Sequence, residues 1–398
     1  MHIAMWSPGW PLKSAQNGIV TFVDCMAREL TSLGHRVSVF APSSPHSKPM
    51  PGVQWVGRAP GDWRDRVLRR LRTRQDPMVA GGQGIAAALL AVHRRDPIDV
   101  IEMEESFGWA GDVERVTGLP MLVKLHGPAF LSLTEEELQS PGAAAKIDRE
   151  GRALGLANAI AAPSRSTLSD TLARYGLTPK IGEHVVNPVT VDTLTPLWDA
   201  GKCDPDTILF VGRFDRRKGA DLLLDAFERL ARERPRLKLV FAGPDRGMAM
   251  PSGAPLDFAA YCAQTLSAET SKRIDYRGSL SNSDVALLRV GAALTVVASR
   301  WESQGYTALE AMLQGCPLVS SDAGGLVENG VHGQTGLFFR SGDAGDLGEK
   351  IATLLDDRAT AATLGAAGRR YVLEHHAARK VAEQSLDLYR RVIESAKR

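Results

Sequence analysis

Cysteine is scarce in this chain: four in 398 residues, Cys25, Cys203, Cys262 and Cys316, all far apart. That spacing excludes a Cys-x-x-Cys metal clip and a dense disulfide framework, and reduced, cytoplasmic thiols are the expectation. An excess of one charge is missing too, with 48 Lys and Arg against 46 Asp and Glu and a net charge of +2. Such a balance excludes a surface built to coat a polyanion, so nucleic acid is not a favoured ligand. Long apolar runs are absent: no stretch approaches the roughly 20 residues that a membrane-spanning helix needs. The chain enters the strand-like run Ile3-Ala4-Met5-Trp6 with no basic leader and apolar signal core. Any membrane contact is expected to be peripheral.

What is present is enough apolar material, 44% of residues, to fill two cores in a chain too long for one. Short apolar runs alternate with helix-period stretches, the pattern of parallel strands joined by crossover helices. Strands are expected near 2–7, 36–41, 53–57, 98–103, 120–126, 158–163 and 183–187, then near 207–212, 237–242, 273–277, 293–298 and 317–321. The predicted fold is α/β: two Rossmann-like, doubly wound domains. Residues 187–205, with Pro188, Pro196 and Pro205, lose periodicity and read as the linker. In open sheets of this kind ligands sit outside the carboxyl ends of the strands, so a site in a cleft between two facing sheets is expected.

Four segments carry chemistry. In the first, Trp301-Glu302-Ser303-Gln304-Gly305-Tyr306-Thr307-Ala308-Leu309-Glu310, the apolar spacing predicts a helix starting near Gly305. The exposed amides of its first turn would form an anion site that a small Gly305 lets a phosphate approach. Glu302 lies before that helix and Glu310 inside it, too far apart to bracket one atom. They suit two hydroxyl-bearing groups flanking a diphosphate; the plain alternative is a dipole-favoured Glu and a surface Glu. The second, Val211-Gly212-Arg213-Phe214-Asp215-Arg216-Arg217-Lys218-Gly219, puts Arg213 at a strand end and Lys218 at a helix opening. Both can converge on one anion and stabilise a departing diphosphate without a metal, although a solvated basic loop would read the same way. The third is a strand ending in Leu125-His126-Gly127, and the fourth is the turn Gln16-Asn17-Gly18. Gly212, Gly243, Arg277, Gln304, Tyr306 and Thr307 complete the candidate donor contacts. Glu102, Glu104 and Glu105, after the fourth strand, are candidate acceptor contacts, with plain surface acids as the alternative.

Other patterns mimic chemistry. Asp204-Pro205-Asp206 imitates a metal motif but reads as a turn before a strand. Gly82-Gln83-Gly84 imitates a dinucleotide fingerprint but has no strand before it and reads as a helix entry. Glu374-His375-His376 reads as a solvated helix face. The arginine-rich stretch 63–74, with Trp63, Val67, Leu68 and Leu71 on one face, suits either an anionic lipid or acidic acceptor, or simple packing on the domain.

Taken together the segments resemble the family-4 retaining glycosyltransferases, a GT-B group, most strongly over residues 207–343, including Ser320-Ser321-Asp322-Ala323-Gly324-Gly325 and Gly333-Gln334-Thr335-Gly336. The family's Glu-x7-Glu motif falls on Glu302 and Glu310. The resemblance implies that Glu302 holds donor sugar hydroxyls, Glu310 the ribose, Arg213 and Lys218 the diphosphate, and that His126 contacts the donor sugar. It implies an acceptor domain over 1–190, a donor domain over 191–376, and a terminal helix over 377–398 that crosses back to the first. Asn17 stands where the family shows a glycine, Gln304 where an aromatic is common, Tyr306 where a small aliphatic is common, and Asn187-Pro188-Val189 where Asn-Gly-Val is frequent. The expected activity is metal-independent hexosyl transfer from a nucleoside diphosphate sugar, a UDP-sugar by family habit, to a hydroxyl-bearing acceptor. The rivals are a nucleotide-sugar epimerase, a non-enzymatic nucleotide-sugar binder, and a nicotinamide-dependent dehydrogenase, which lacks its fingerprint here.

Overall fold

The computed structural model describes residues 1–12, 17–44, 47–57, 79–133, 135–191, 196–250 and 253–397; the basic 63–74 stretch lies outside them. The chain forms two compact units, residues 1–188 with 378–398, and residues 189–377.

The first unit is built on seven parallel strands, β1 (His2–Trp6), β2 (Arg36–Pro42), β3 (Val53–Val56), β4 (Val100–Glu104), β5 (Met121–Lys124), β6 (Ala159–Ala162) and β7 (Gly182–His184), in the order β3-β2-β1-β4-β5-β6-β7. Alternate residues of β1 serve opposite faces, as strand geometry dictates. Ile3 and Met5 pack with Phe22, Met26 and Tyr389, whereas Ala4 and Trp6 pack with Ile85, Leu89 and Val113. Both faces are thus covered, which is why the central strands read as continuous apolar runs without alternation. The Gly18–Ser32 helix and the Ala378–Ala396 helix cover the same face. Val381, Leu386, Leu388, Tyr389 and Val392 bury that helix at 5% exposure or less, each contributing about 1.5–3 kcal/mol.

The second unit has six parallel strands, β8 (Asp204–Val211), β9 (Lys238–Ala242), β10 (Ile274–Gly278), β11 (Ala292–Val297), β12 (Leu318–Ser321) and β13 (Leu337–Phe339), ordered β10-β9-β8-β11-β12-β13. Phe210, Phe214, Phe227, Phe241 and Phe258 fill one core, and Val297, Leu309, Met312, Leu318 and Val372 fill the other face. In each sheet the order reverses beside the first strand, at β1/β4 and at β8/β11. Among the described residues no helix is long and apolar enough to cross a membrane.

Every expected strand is present, and β13 is an addition: at three residues it is too short to carry a period. β8 begins at Asp204, inside the stretch expected as linker. Asp204-Pro205-Asp206 thus lies at the amino end of that strand, where Asp204 accepts from Thr207 and Lys238 and Asp206 pairs with Arg236. The Gly82–Gly84 run falls inside the Val79–His93 helix, where a Cβ on Gly82 would stand 2.4 Å from an Asp112 oxygen, so Gly82 serves close helix packing. The expectation of a solvated His375-His376 pair is corrected for His376, which is 1% exposed and whose carbonyl accepts from Val189 N–H. The Arg358–His375 helix ends on an exposed His375, and its C-cap His376 is the residue that turns inward.

Candidate active site

The reversal at β8/β11 brings two loops together, one from each strand's carboxyl end. Contact is backbone-close at Gly219: its φ is +69°, and a Cβ there would stand 1.9 Å from the carbonyl oxygen of Ala298. Gly243, after β9, is equally constrained against Gly212, with φ +152° and 1.9 Å to the Gly212 oxygen. Only glycine tolerates such positions. The loops are also stitched by Arg300, which donates to both oxygens of Asp221 at 2.7 Å and whose N–H reaches the Arg217 carbonyl at 2.8 Å.

Across this seam the Lys218 ammonium pairs with Glu302 Oε1, and Ser299 Oγ donates to the same oxygen at 2.8 Å. Burial opposes the Glu302 charge, yet the cations of Lys218 and Arg217 and the hydrogen bonds from Lys218 and Ser299 hold its carboxyl below the ordinary value. Arg213 Nε lies 2.8 Å from Asp215 Oδ2 without hydrogen-bond alignment, and its side chain is 42% exposed. Asp215 Oδ1 also takes the Lys218 N–H at 2.8 Å, so one carboxylate positions both cation-bearing residues.

Beside them the Tyr306–Leu313 helix opens at Gly305, which has φ +83° and gives no side-chain cap. An uncapped first turn is the kind of helix end that receives an anion. Gly305 is packed: a Cβ would stand 2.6 Å from Leu326 Cδ2, while at Gly324 one would stand 2.5 Å from the Glu302 carbonyl oxygen. That carbonyl accepts Gly325 N–H at 2.8 Å, so the Glu302 backbone is clamped from behind. Tyr306 and Thr307 form the helix's first turn and are partly exposed. Glu310, one turn further, accepts from Arg289 Nη2 at 3.1 Å.

One expected donor contact, Gln304, has its side chain placed differently. The Gln304 side chain, 1% exposed, is turned into the unit, with Nε2 3.5 Å from His376 Nδ1, while the Gln304 backbone carbonyl accepts from the Asn329 side-chain amide at 2.5 Å. Arg277 sits on the edge strand β10 with its half-exposed guanidinium on Asp275 at 2.6 Å.

In the first unit, Asn17 is the helix cap of Gly18–Ser32, its Oδ1 taking Val20 N–H at 2.9 Å, and Gly18 opens that helix. His126 follows β5 with its ring edge-on to Phe22 at 4.9 Å. Burial, reinforced by the Lys124 charge, pushes its imidazole down to about 3 although an edge stays partly exposed. The acidic run is not a surface feature. Glu102, Glu104 and Glu105 are 4%, 3% and 1% exposed, so an acceptor cannot touch them in this arrangement. Glu105 instead accepts the amides of His126 at 2.9 Å and Gly127 at 2.6 Å, and Glu150 accepts Ala129 N–H at 2.8 Å. Glu104 accepts Ser106 N–H, and Glu102 accepts the Tyr389 hydroxyl at 2.6 Å. Burial raises all four carboxyls.

A glycosyl transferases group 1 model matches residues 200–371, and a Glycosyltransferase Family 4 model matches residues 16–193. The chain is built of glycosyltransferase family domains. An alpha-maltose-1-phosphate synthase of Mycolicibacterium smegmatis is 26% identical over 349 residues, covering 80% of this chain and 86% of that one. A D-inositol 3-phosphate glycosyltransferase of Pseudarthrobacter chlorophenolicus is 27% identical over 69% of this chain and 67% of its own. Among solved structures, sucrose-phosphate synthase from Thermosynechococcus elongatus superposes with a TM-score of 0.76 at 22% identity, covering 99% of both chains. The Anabaena protein HepE in complex with UDP gives 0.72 at 17% identity, over 98% of this chain and 99% of that one. These likenesses establish two Rossmann-like parallel-sheet domains of GT-B type.

The glycosyltransferase domains contain supporting residues that the sequence reading passed over. Ser299, Asp215 and Gly325 hold Glu302, Arg213 and Lys218 in place. Ser299 follows β11 directly, a position where polar residues are worth marking, whereas Asp215 is one acid among neighbouring bases. Phe107, with φ +61°, gives no sequence signal at all; its carbonyl is held by Arg149 Nε at 2.6 Å.

Proposed function

We propose that the chain is a retaining hexosyltransferase that takes its sugar from a nucleoside diphosphate sugar, a UDP-sugar in the first instance, and passes it to a hydroxyl-bearing acceptor. In this reading the second unit binds the donor and the first the acceptor. The observation that carries it is the Lys218–Glu302 pair locked beside the uncapped Gly305 helix end. A diphosphate departing with its electron pair needs fixed positive charge, which Lys218, Arg213 and the helix end supply without reorganisation or a metal ion. Glu302, kept ionised and already bonded to Lys218 and Ser299, suits sugar hydroxyls better than attack on carbon. A front-face route then follows. The bond from the anomeric carbon to the diphosphate oxygen breaks, the departing oxygen takes the acceptor hydroxyl's proton, and the new bond forms on the same face. His126 remains neutral at working pH and acts there as a hydrogen-bonding group. The solved relative bound to UDP gives the donor class its support.

The test needs no acceptor. The protein, stripped with EDTA, is incubated with UDP-, ADP- and GDP-hexoses, and the sugar slowly released is followed by NMR before it mutarotates. Release of the α-anomer, undiminished by EDTA and lost in Glu302→Ala, is expected. First appearance of the β-anomer, or of an epimerised nucleotide sugar, would sink the proposal.

A further inference from the structure

Arg289 lies in the last turn of the Asn282–Gly291 helix, and its side chain is 3% exposed. A guanidinium stays charged even when buried, so it persists there only where its donors are used. Nη1 donates to Gln314 Oε1 at 2.6 Å and Nη2 to Glu310 Oε2 at 3.1 Å. Those acceptors are four residues apart, one above the other on a single helical face. Gln314 cannot turn away, because its amide nitrogen donates to the carbonyls of Pro196 at 3.1 Å and Ala286 at 3.0 Å. Arg289 Nε, in contrast, has no partner, an uncompensated cost that a purely stabilising pair would avoid.

Glu310 is the outer end of this relay. Its side chain is 39% exposed, with Oε2 tethered and no partner for Oε1 among the described residues. Untethered, an exposed carboxylate samples several rotamers and must be ordered at each binding event. Held by one oxygen, it offers the other in a fixed direction. We infer that Arg289 is a positioning residue for donor specificity: it sets the Glu310 carboxylate to receive the ribose diol of the nucleotide. The inference rests on the proposed nucleotide-sugar reading and adds to it the group that makes Glu310 selective.

The test compares whichever of UDP, ADP and GDP binds tightest with its own 2′-deoxy form, by titration calorimetry. Wild-type protein should prefer the ribo form by ~10-fold or more, since a hydroxyl bonded to a charged acceptor is at stake. Arg289→Met should cut that preference to about twofold while changing affinity for the deoxy form little, and Arg289→Met with Glu310→Gln should lose no more than either alone. Arg289→Lys, which keeps the charge but not the fork, should fall between, and it decides the matter if the Met variant fails to fold. An unchanged ribo preference in Arg289→Lys and Arg289→Met alongside its loss in Glu310→Gln overturns the inference about Arg289. A full preference in Glu310→Gln overturns the ribose reading itself.

Discussion

At the scale of single residues, the Lys218–Glu302 pair makes a pH argument with a definite sign. The Glu302 carboxyl is held below its ordinary value, so its contribution to stability is present above pH ~4.5 and is lost as pH falls through the lowered value. In Lys218→Met the main counter-charge is gone and burial, the term that raises the carboxyl, dominates. The sign then reverses, and that variant loses stability as pH rises. The gap in unfolding free energy between wild type and Lys218→Met, read by denaturant titration, should therefore widen from pH 4 towards pH 7, reaching the ~3–5 kcal/mol typical of a buried charge left unpaired. A gap constant across that range would show that Lys218 does not govern the Glu302 charge.

At the scale of elements, the two glycine contacts fix where the site loops can run. Gly219→Ala would place a methyl 1.9 Å from a carbonyl oxygen at positive φ, which no rotamer relieves. A loss above ~3 kcal/mol is expected, and soluble Gly219→Ala with an unchanged melting temperature would contradict the packing described. The same scale shows what was legible in advance. The strands were readable because burial on both faces writes itself as unbroken apolar runs, as in Ile208, Leu209 and Phe210. The pairing of Lys218 with Glu302 was not readable, since 84 positions separate them and the strand order alone makes them neighbours. The acidic run at the carboxyl end of β4 misled for the opposite reason. Sequence shows charge but not the backbone amides that can absorb it, and the amides of His126 and Gly127 lie 21 and 22 positions away from Glu105. His376 was read as solvated together with His375, because sequence does not show to which side the C-cap after a helix's last residue turns.

At the scale of the whole molecule, the first unit is discontinuous, and the Tyr389 hydroxyl bonded to Glu102 is a polar latch inside its closing contact. Tyr389→Phe leaves that buried carboxyl without its donor and should cost ~1–3 kcal/mol, visible as a lowered calorimetric transition for the first unit. A transition unmoved by the substitution would mean that the latch adds nothing to the apolar packing around it.

The same discontinuity dictates an order of assembly. While the ribosome is still making residues 189–377, Ile3, Met5, Phe22 and Met26 have no Val381, Leu386 or Tyr389 to lie against. The Gly18–Ser32 helix covers only part of that face, so a nascent chain stalled before Ala378 carries an adhesive flank where the last helix will lie.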